Sequence, residues 1–570
     1  MIQRTCVVVL LLAGMAAAQH QHQSPANLSA EHFTSLGDTH HPVSTRNPEA
    51  QKSFDEGLAL LYGFNHEEAA RAFERAAQQD PNLAMAYWGA ALVGGVNYNA
   101  PEFPEALKAA RANLKKAQSL APNASPSEQA YIAALARRYD EKTDDVMQRE
   151  RAYSEAMGDV MERFPDDLDA ATLYAESLMN QNPWKLWTND GKPGPNTEQV
   201  IAILESVLRR NPRHLGANHY YIHAVEASPN PERGLPSADR LRDLHLSAGH
   251  LVHMPAHIYW RTGDYVSAAD VNVVAAKVDR DYLGESADKP GIYAMMYYSH
   301  NLHFEALADI MAGRYSSART AAETLTNHVE PAVKGMPMLE MFLPVKTYVL
   351  VRFGKWDDAL ALAEPDKSLR LHHGTWLWAR GLAECAKGDM AAARRDSDAL
   401  HAAVAAIPPD VIVDKNSLAD LLGIADHMLA ARIAAAGKDL ASAQRHYEQA
   451  IAIHDRFNYI EPPEWPFPVR ESLGAMLLQA GRPLEAEKVF REDLMRHPRN
   501  GRSLFGLRES LKAQNKDEAA RLVEMEFKPA WKNADVELNI DELELGSPRT
   551  STRAANSTGD TRLRASLPLL

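Results

Sequence analysis

The sequence predicts an all-α chain of stacked helical hairpins, and three observations carry that prediction. Small, aromatic and proline residues recur at a fixed spacing: Gly57, Ala69, Phe73, Ala76 and Pro81 set a pattern that Leu473, Gly474, Ala486, Phe490 and Pro498 repeat. Turns of the form Gly-x-aromatic-x-x-Ala recur at Gly263-Asp-Tyr265 with Ala268, at Gly313-Arg-Tyr315 with Ala318, and at Gly354-Lys-Trp356 with Ala359. Histidines fall at helical spacing in three segments: His219 and His223, then His250, His253 and His257, then His300 and His303.

In chain order, residues 1–18 read as a secretory signal. Arg4 gives the positive region, Cys6 to Met15 the apolar core, and Ala16-Ala17-Ala18 a small-residue cleavage site. The apolar run is too short to span a bilayer, so cleavage is expected and the mature chain is expected to be exported, periplasmic or secreted. Cys6 would leave with the signal and Cys385 would stay alone. That excludes a disulfide framework and a thiolate metal site, so any metal must sit on histidine and carboxylate. Net charge of −14 argues against nucleic acid as a partner. No later apolar run is long enough to cross a membrane. Residues 19–49 read as a flexible polar leader.

The repeats divide into residues 50–178, a central histidine-rich block at 199–330, and residues 331–531. The segment 179–198, rich in Trp, Pro and Gly, inserts between the first two. Weaker copies of the pattern end at Pro122, Pro165 and Pro212, and looser ones include Gly388-Asp-Met390 and Ala443, Tyr447, Ala450. These copies resemble the tetratricopeptide (TPR) repeat, in which small residues let two antiparallel helices touch and proline closes a unit of ~34 residues. As a whole the chain resembles secreted bacterial TPR-repeat proteins that carry His-Tyr-Tyr-Ile-His and Gly-His-Leu-Val-His-Met-Pro segments. The resemblance implies a right-handed solenoid with a concave groove, and a protein or peptide as partner. It implies no activity. The long connections at 94–104 and 180–198 are placed to roof such a groove, and 279–291 interrupts the spacing. Residues 532–570, acidic and then rich in Ser, Thr and Arg, read as a disordered tail.

The repeat register places the histidines on one side. Leu215 and Gly249 begin successive units one repeat length apart, and a third begins near Ser299. His219 and His223 then occupy the positions that His253 and His257 occupy one unit later. His250 corresponds to His300, and His303 to His219. At ~100° per residue these positions, with Glu226, fall within an arc of ~80°. By resemblance to TPR arrays that arc lines the concave groove. Two irregularities stand out. Pro255 removes one helical hydrogen bond and should kink its helix or start it late. Glu305 and Asp309 fall where apolar packing residues are expected, which marks the third helix as rotated or shifted.

Histidines one helical turn apart can hold one ion, and Glu226 would add an anionic ligand. The set His219, His223, Glu226, His250, His253, His257, His300 and His303 suits zinc, copper, iron or manganese, with room for two ions. Tyr220, Tyr259, Trp260, Arg261 and Asn301 are candidates to line a ligand groove beside it. Three functions follow. The first is an exported scaffold with a metal site in a groove that takes a protein, peptide or small ligand. The second is a metalloenzyme, oxidative or hydrolytic, on the same residues. The third is a plain interaction module without metal. Two further stretches are ambiguous: Pro183-Trp184-Lys-Leu-Trp187 as cap or anchor, and Glu461-Pro-Pro-Glu464-Trp465 as groove carboxylates or spacer. Phosphate loops, dinucleotide fingerprints and Gly-x-Ser-x-Gly are absent, and Cys385 is expected to be inert.

Overall fold

A computed structural model describes Phe33 and residues 35–284 and 291–547. The expected signal peptide and residues 548–570 lie outside these. The chain is an all-α, TPR-like solenoid of antiparallel hairpins.

The hairpins are α1 (Pro48–Tyr62) with α2 (His66–Gln79), α3 (Ala84–Leu92) with α4 (Pro104–Leu120), α5 (Pro126–Arg138) with α6 (Val146–Arg163), and α7 (Leu168–Met179) with α8 (Thr197–Arg210). The central block holds α9 (Leu215–Val225) and α10 (Leu235–Asp243), then α11 (Gly249–His253) and α12 (Pro255–Arg261) against α13 (Tyr265–Leu283), then α14 (Tyr298–Ala312) against α15 (Tyr315–Val329). The array continues through α16 (Val345–Arg352), α17 (Trp356–Leu360), α18 (Arg370–Lys387), α19 (Met390–Ala405), α20 (Leu418–Ala436), α21 (Leu440–His454), α22 (Val469–Gln479), α23 (Pro483–Arg496), α24 (Gly501–Lys512) and α25 (Asp517–Ala530), and ends in the short α26 (Ile540–Leu543). A two-stranded ribbon, β1 (Ile412–Val413) with β2 (Asn416–Ser417), sits between α19 and α20.

The repeated residues have evident work. Phe73 lies fully buried between α1 and α3, where Gly57 and Gly89 leave no room for a β-carbon. Phe490 sits in the same way between Gly474 and Gly506. The turn glycines Gly263, Gly313 and Gly354 all have positive φ, at 78°, 74° and 59°, a conformation that suits glycine.

The first hairpin does not stand apart. The array curls so that α1 packs beside α9, and Gly63, at the α1–α2 turn, meets Leu251 of α11. The concave side of the central repeats is therefore filled by the start of the chain, and their histidines line a closed interior where an open groove was expected.

Two further expectations are corrected. Residues 35–47 of the leader are held against the repeats: Ser35 and Ser247 exchange hydrogen bonds, and His41 Nδ1 lies 2.9 Å from Asp169. The tail is packed up to Ser547, because it carries the caps its neighbours need. Asp535 accepts from the first amides of α15, and buried Glu544 accepts from Arg432 and Tyr447. Cys385 is buried, and that burial pushes its thiol up to about 11, in line with an inert cysteine.

Because Phe490 fills the space between Gly474 and Gly506, Phe490→Ala is expected to cost about 3–5 kcal/mol. Hydrogen exchange should show the loss of protection greatest in α22–α25.

Candidate metal centre

The first helices of three consecutive units meet at the centre of the molecule. α9 brings His219 and His223, with Glu226 at its C-terminal cap. The next unit breaks at Met254–Pro255 into α11 and α12, which bring His250, His253 and His257. α14 brings His300. Its entry is a π-helical segment, Tyr293–Tyr297, which re-phases the helix that follows.

The histidines form two nests. In one, nitrogens of His219, His223 and His250 lie within 4.8 Å of one another. In the other, those of His253, His257 and His300 do the same. The nests adjoin, with the His223 and His257 rings 5.4 Å apart and the His250 and His253 rings 5.7 Å apart. His300 is partly buried and the other five are buried.

Hydrogen bonds behind the rings fix which nitrogen is free. His219 Nδ1 donates to the Tyr62 carbonyl at 2.5 Å. His223 Nδ1 donates to Glu226 Oε1 at 2.8 Å, and His257 Nδ1 to Glu226 Oε2 at 2.5 Å. Asn272 of α13 spends its amide N–H on the Ala268 carbonyl, so its Oδ1 accepts from His253 Nδ1 at 2.7 Å. All four rings are thus anchored through Nδ1–H, and each turns an Nε2 lone pair inward. Nε2 of His219 and of His223 is buried without a hydrogen-bond partner, as are both ring nitrogens of His250. In the second nest Nε2 of His253 lies 2.9 Å from that of His257 and 3.1 Å from that of His300. The lone pairs of His253 and His257 face each other with no proton of their own between them. A cation fits there: nitrogens ~2.0–2.1 Å from a tetrahedral ion lie ~3.3 Å apart. Outer-shell acceptors on Nδ1–H are what metal-ligating histidines carry.

Electrostatics agree with neutral imidazoles. Burial pushes His219, His250, His253 and His300 well below the usual histidine range, and their histidine neighbours push them further. Burial alone would raise Glu226, but His257 and His223 hold its carboxyl down at about 2.

Glu226 was expected as a ligand. Both its oxygens accept from Nδ1–H groups, which makes it a shared support of the two nests, and with His223 and His257 it also forms a group whose donor atoms lie within 4.8 Å of one another and could hold an ion. His303 was expected in the cluster. It packs edge-on against Phe342 at 5.5 Å and belongs to neither nest. Asp309, one of the misfits in the apolar pattern, is buried and paired with Arg314.

The groove residues divide. Tyr220 is buried between Tyr62 and Phe64. Tyr259 faces away from the centre, with its hydroxyl bonded to Asp239 and Arg242. Asn301 donates to Asp279 Oδ2 at 2.7 Å. These three belong to the packing. Trp260 and Arg261 line a cavity beside the centre.

Several contributors were not foreseen. Phe64 stacks on His223 and His250 and meets His219 edge-on, and Phe304 packs edge-on or tilted against His253, His257 and His300. Tyr98, from the 94–104 connection, and Trp184, from the 179–198 insertion, close over His223. Trp187 donates to the Ala224 carbonyl, so the tryptophan loop both caps and anchors. Asn272 was legible as a lone amide in the run Val271 to Ala276. Tyr62 and Phe64 gave no local signal, since their role depends on the curl of the array.

A third cluster lies behind Tyr62. Asp169 accepts from the Tyr62 hydroxyl at 2.5 Å and faces His41 at 2.9 Å and His214 at 3.2 Å. His214 also caps α9 by accepting from Ala217 N. This carboxylate is already saturated, so the cluster serves as a clamp holding the leader and the start of α9.

No protein-family model matches the chain, and no curated protein sequence matches it. Among solved structures, the human IFIT1 dimer with m7Gppp-AAAA is 14% identical with a TM-score of 0.33, covering 86% of this chain and 91% of that one. The yeast Tom70 crystal structure is 13% identical with a TM-score of 0.30, covering 84% and 97%. The APC/C Cut9–Hcn1 hetero-tetramer gives 12% identity and a TM-score of 0.28, covering 88% and 96%.

Burial alone would lower His41, but Asp169, Asp167 and Asp55 raise it to about 9. A raised histidine stabilises the fold fully below its unfolded value near 6.5 and loses that contribution as pH rises through about 9. Asp169 is depressed, so its share is lost as pH falls below the usual carboxylate range. The melting-temperature gap between wild type and His41→Ala should therefore be widest near pH 5–6 and close above pH ~9.

Proposed function

We propose that the protein is a metal-binding protein that holds two transition-metal ions, one on His219, His223 and His250 and one on His253, His257 and His300. The observation that carries this reading is the set of four Nδ1–H anchors: it leaves the Nε2 atoms of His219 and His223 buried with no partner and sets those of His253 and His257 against each other at 2.9 Å. A packed core would pair or exclude such groups, since a buried polar atom without a partner costs about 1–3 kcal/mol.

The donor set speaks to the metal. Six imidazoles with no directly bound carboxylate suit copper or zinc better than manganese. Charge decides between those two. Among the described residues, Glu226 is the one carboxylate hydrogen-bonded to the nest histidines. Two divalent ions would bury far more uncompensated charge than two cuprous ions, so copper is the reading supported best. Export is proposed with it, on the Arg4, Cys6–Met15 and Ala16–Ala18 signal pattern. Among the described residues no helix is long and apolar enough to cross a membrane.

Protein purified without an affinity tag should contain about two copper ions per chain. His219→Ala/His223→Ala should empty one nest and His253→Ala/His257→Ala the other, both read by elemental analysis. Metal below a tenth of an equivalent, with no rise in melting temperature on adding copper or zinc, would refute the centre. Glu226→Gln places an amide where two N–H donors need acceptors, and should weaken metal binding ~10–100-fold in a competition titration.

A further inference from the structure

A cavity of about 190 Å³ opens beside the second nest, between the C-terminal end of α12 and the 455–468 connection. Its charged lining groups are mostly satisfied among themselves. Arg470 holds Asp455 with two bonds of 2.8 Å, Arg496 reaches the same carboxylate at 3.2 Å, and His497 lies 2.9 Å from Asp493. Glu464 accepts from Lys415 N and from Asn416.

Two groups are left over. Arg261 donates to the backbone carbonyl of Glu226 at 2.8 Å and lies 5.5 Å over the Tyr459 ring, but among the described residues it has no carboxylate within 4.0 Å. Glu461 is 3% exposed, and its Oε2 has no hydrogen-bond partner. Burial pushes this carboxyl well above the usual range, against the pull of Arg261, and in its protonated form it can donate. Trp260, Tyr265 and Trp465 supply apolar walls.

From this lining we infer that the cavity is a binding site for a small aromatic carboxylate, held by the Arg261 guanidinium and the Glu461 carboxyl, with its ring against Trp260 and Tyr459. An unpaired guanidinium and a carboxylate make a charge-assisted pair. A carboxyl that donates satisfies the second oxygen, and the aromatic walls take the ring. The binding chemistry stands on the cavity's own residues. That the ligand is a substrate of the neighbouring centre rests on the two-metal reading: Trp260 packs on Phe304 at 5.6 Å, and Phe304 walls the second nest.

The test is calorimetric binding of benzoate and benzamide to the full-length protein, with and without copper. Benzoate should bind at least ~10-fold more tightly than benzamide, since the amide forfeits the charge on Arg261. Arg261→Met should erase the preference. Glu461→Gln, which keeps a donor, should hold affinity within ~3-fold, while Glu461→Leu should lose ~10-fold. Equal binding of the two probes by wild type, or a benzoate preference that survives in Arg261→Met, overturns the inference. Should Arg261→Met fail to fold, the comparison of the two probes on wild type decides alone. Benzoate selectivity in protein that takes up neither copper nor zinc when either is added would refute the metal centre and leave the carboxylate site standing. Copper without benzoate selectivity would do the reverse.

Discussion

Glu226 is a buried anion whose two oxygens each accept a proton-bearing nitrogen from a different helix, His223 on α9 and His257 on α12. An isolated carboxylate at that depth would cost several kcal/mol and would titrate to its neutral form. Paired with two Nδ1–H donors it stays ionised. In return it fixes both rings in one tautomer and one orientation. The two nests therefore do not assemble independently. Loss of the carboxylate would free His223 and His257 to rotate, and the inward lone pairs on both sides would be misplaced together. Asn272 and the Tyr62 carbonyl repeat the device for His253 and His219 with neutral acceptors. Among the described residues, Glu226 is the one carboxylate hydrogen-bonded to any of the six histidines, and it serves both sides.

The scaffold explains why so much imidazole can be kept dry. A repeat array presents equivalent faces of successive first helices side by side, so histidines one unit apart converge without any special loop. Closure then comes from the irregular parts. Phe64 and Trp184 lie over the first nest in the left-handed backbone region, with φ of 54° and 60°. For non-glycine residues such conformations cost of order 1–3 kcal/mol each and persist where the surroundings impose them. The π-helical turn at Tyr293–Tyr297 is a third departure from regular geometry, and it sets Tyr297 against His250 at 4.9 Å. These three departures lie against the histidines; other left-handed residues, such as Lys438, Arg499 and Asn515, sit in turns elsewhere in the array.

This division also explains what was legible in the sequence. The hairpins were readable because Gly57, Phe73 and their later copies act through near neighbours at fixed spacing. The histidine face was readable for the same reason: helical periodicity places His219 beside His223 and His253 beside His257, whatever lies opposite. What lies opposite was not readable. That the concave side is filled by the α1–α2 turn depends on the curl of the whole array, which sums small rotations over several units. The role of Glu226 escaped for a subtler reason. Spacing puts its carboxylate on the histidine face, but whether it meets a metal or an N–H depends on ring orientation, which no periodicity encodes. The reading of the leader and tail failed because composition describes average behaviour, and His41, Asp535 and Glu544 are single residues with buried partners.

The link between the centre and the cavity runs through Arg261. Its guanidinium donates to the Glu226 carbonyl, one of the orphan carbonyls at the C-terminal end of α9, where a cation is stabilised by the helix dipole. This interaction gives the half-buried Arg261 a partner where it has no carboxylate within 4.0 Å. It also means that Arg261 faces two ways, toward the end of the helix that carries Glu226 and toward the cavity. A carboxylate bound in the cavity would share the guanidinium with that carbonyl, and any shift of Arg261 would be felt first at the residue that orients both nests. Linkage requires the reverse as well: whatever fixes the end of α9 also pre-orients Arg261 for the ligand. The two sites are adjacent in space, and a single side chain makes the occupancy of one a condition on the geometry of the other.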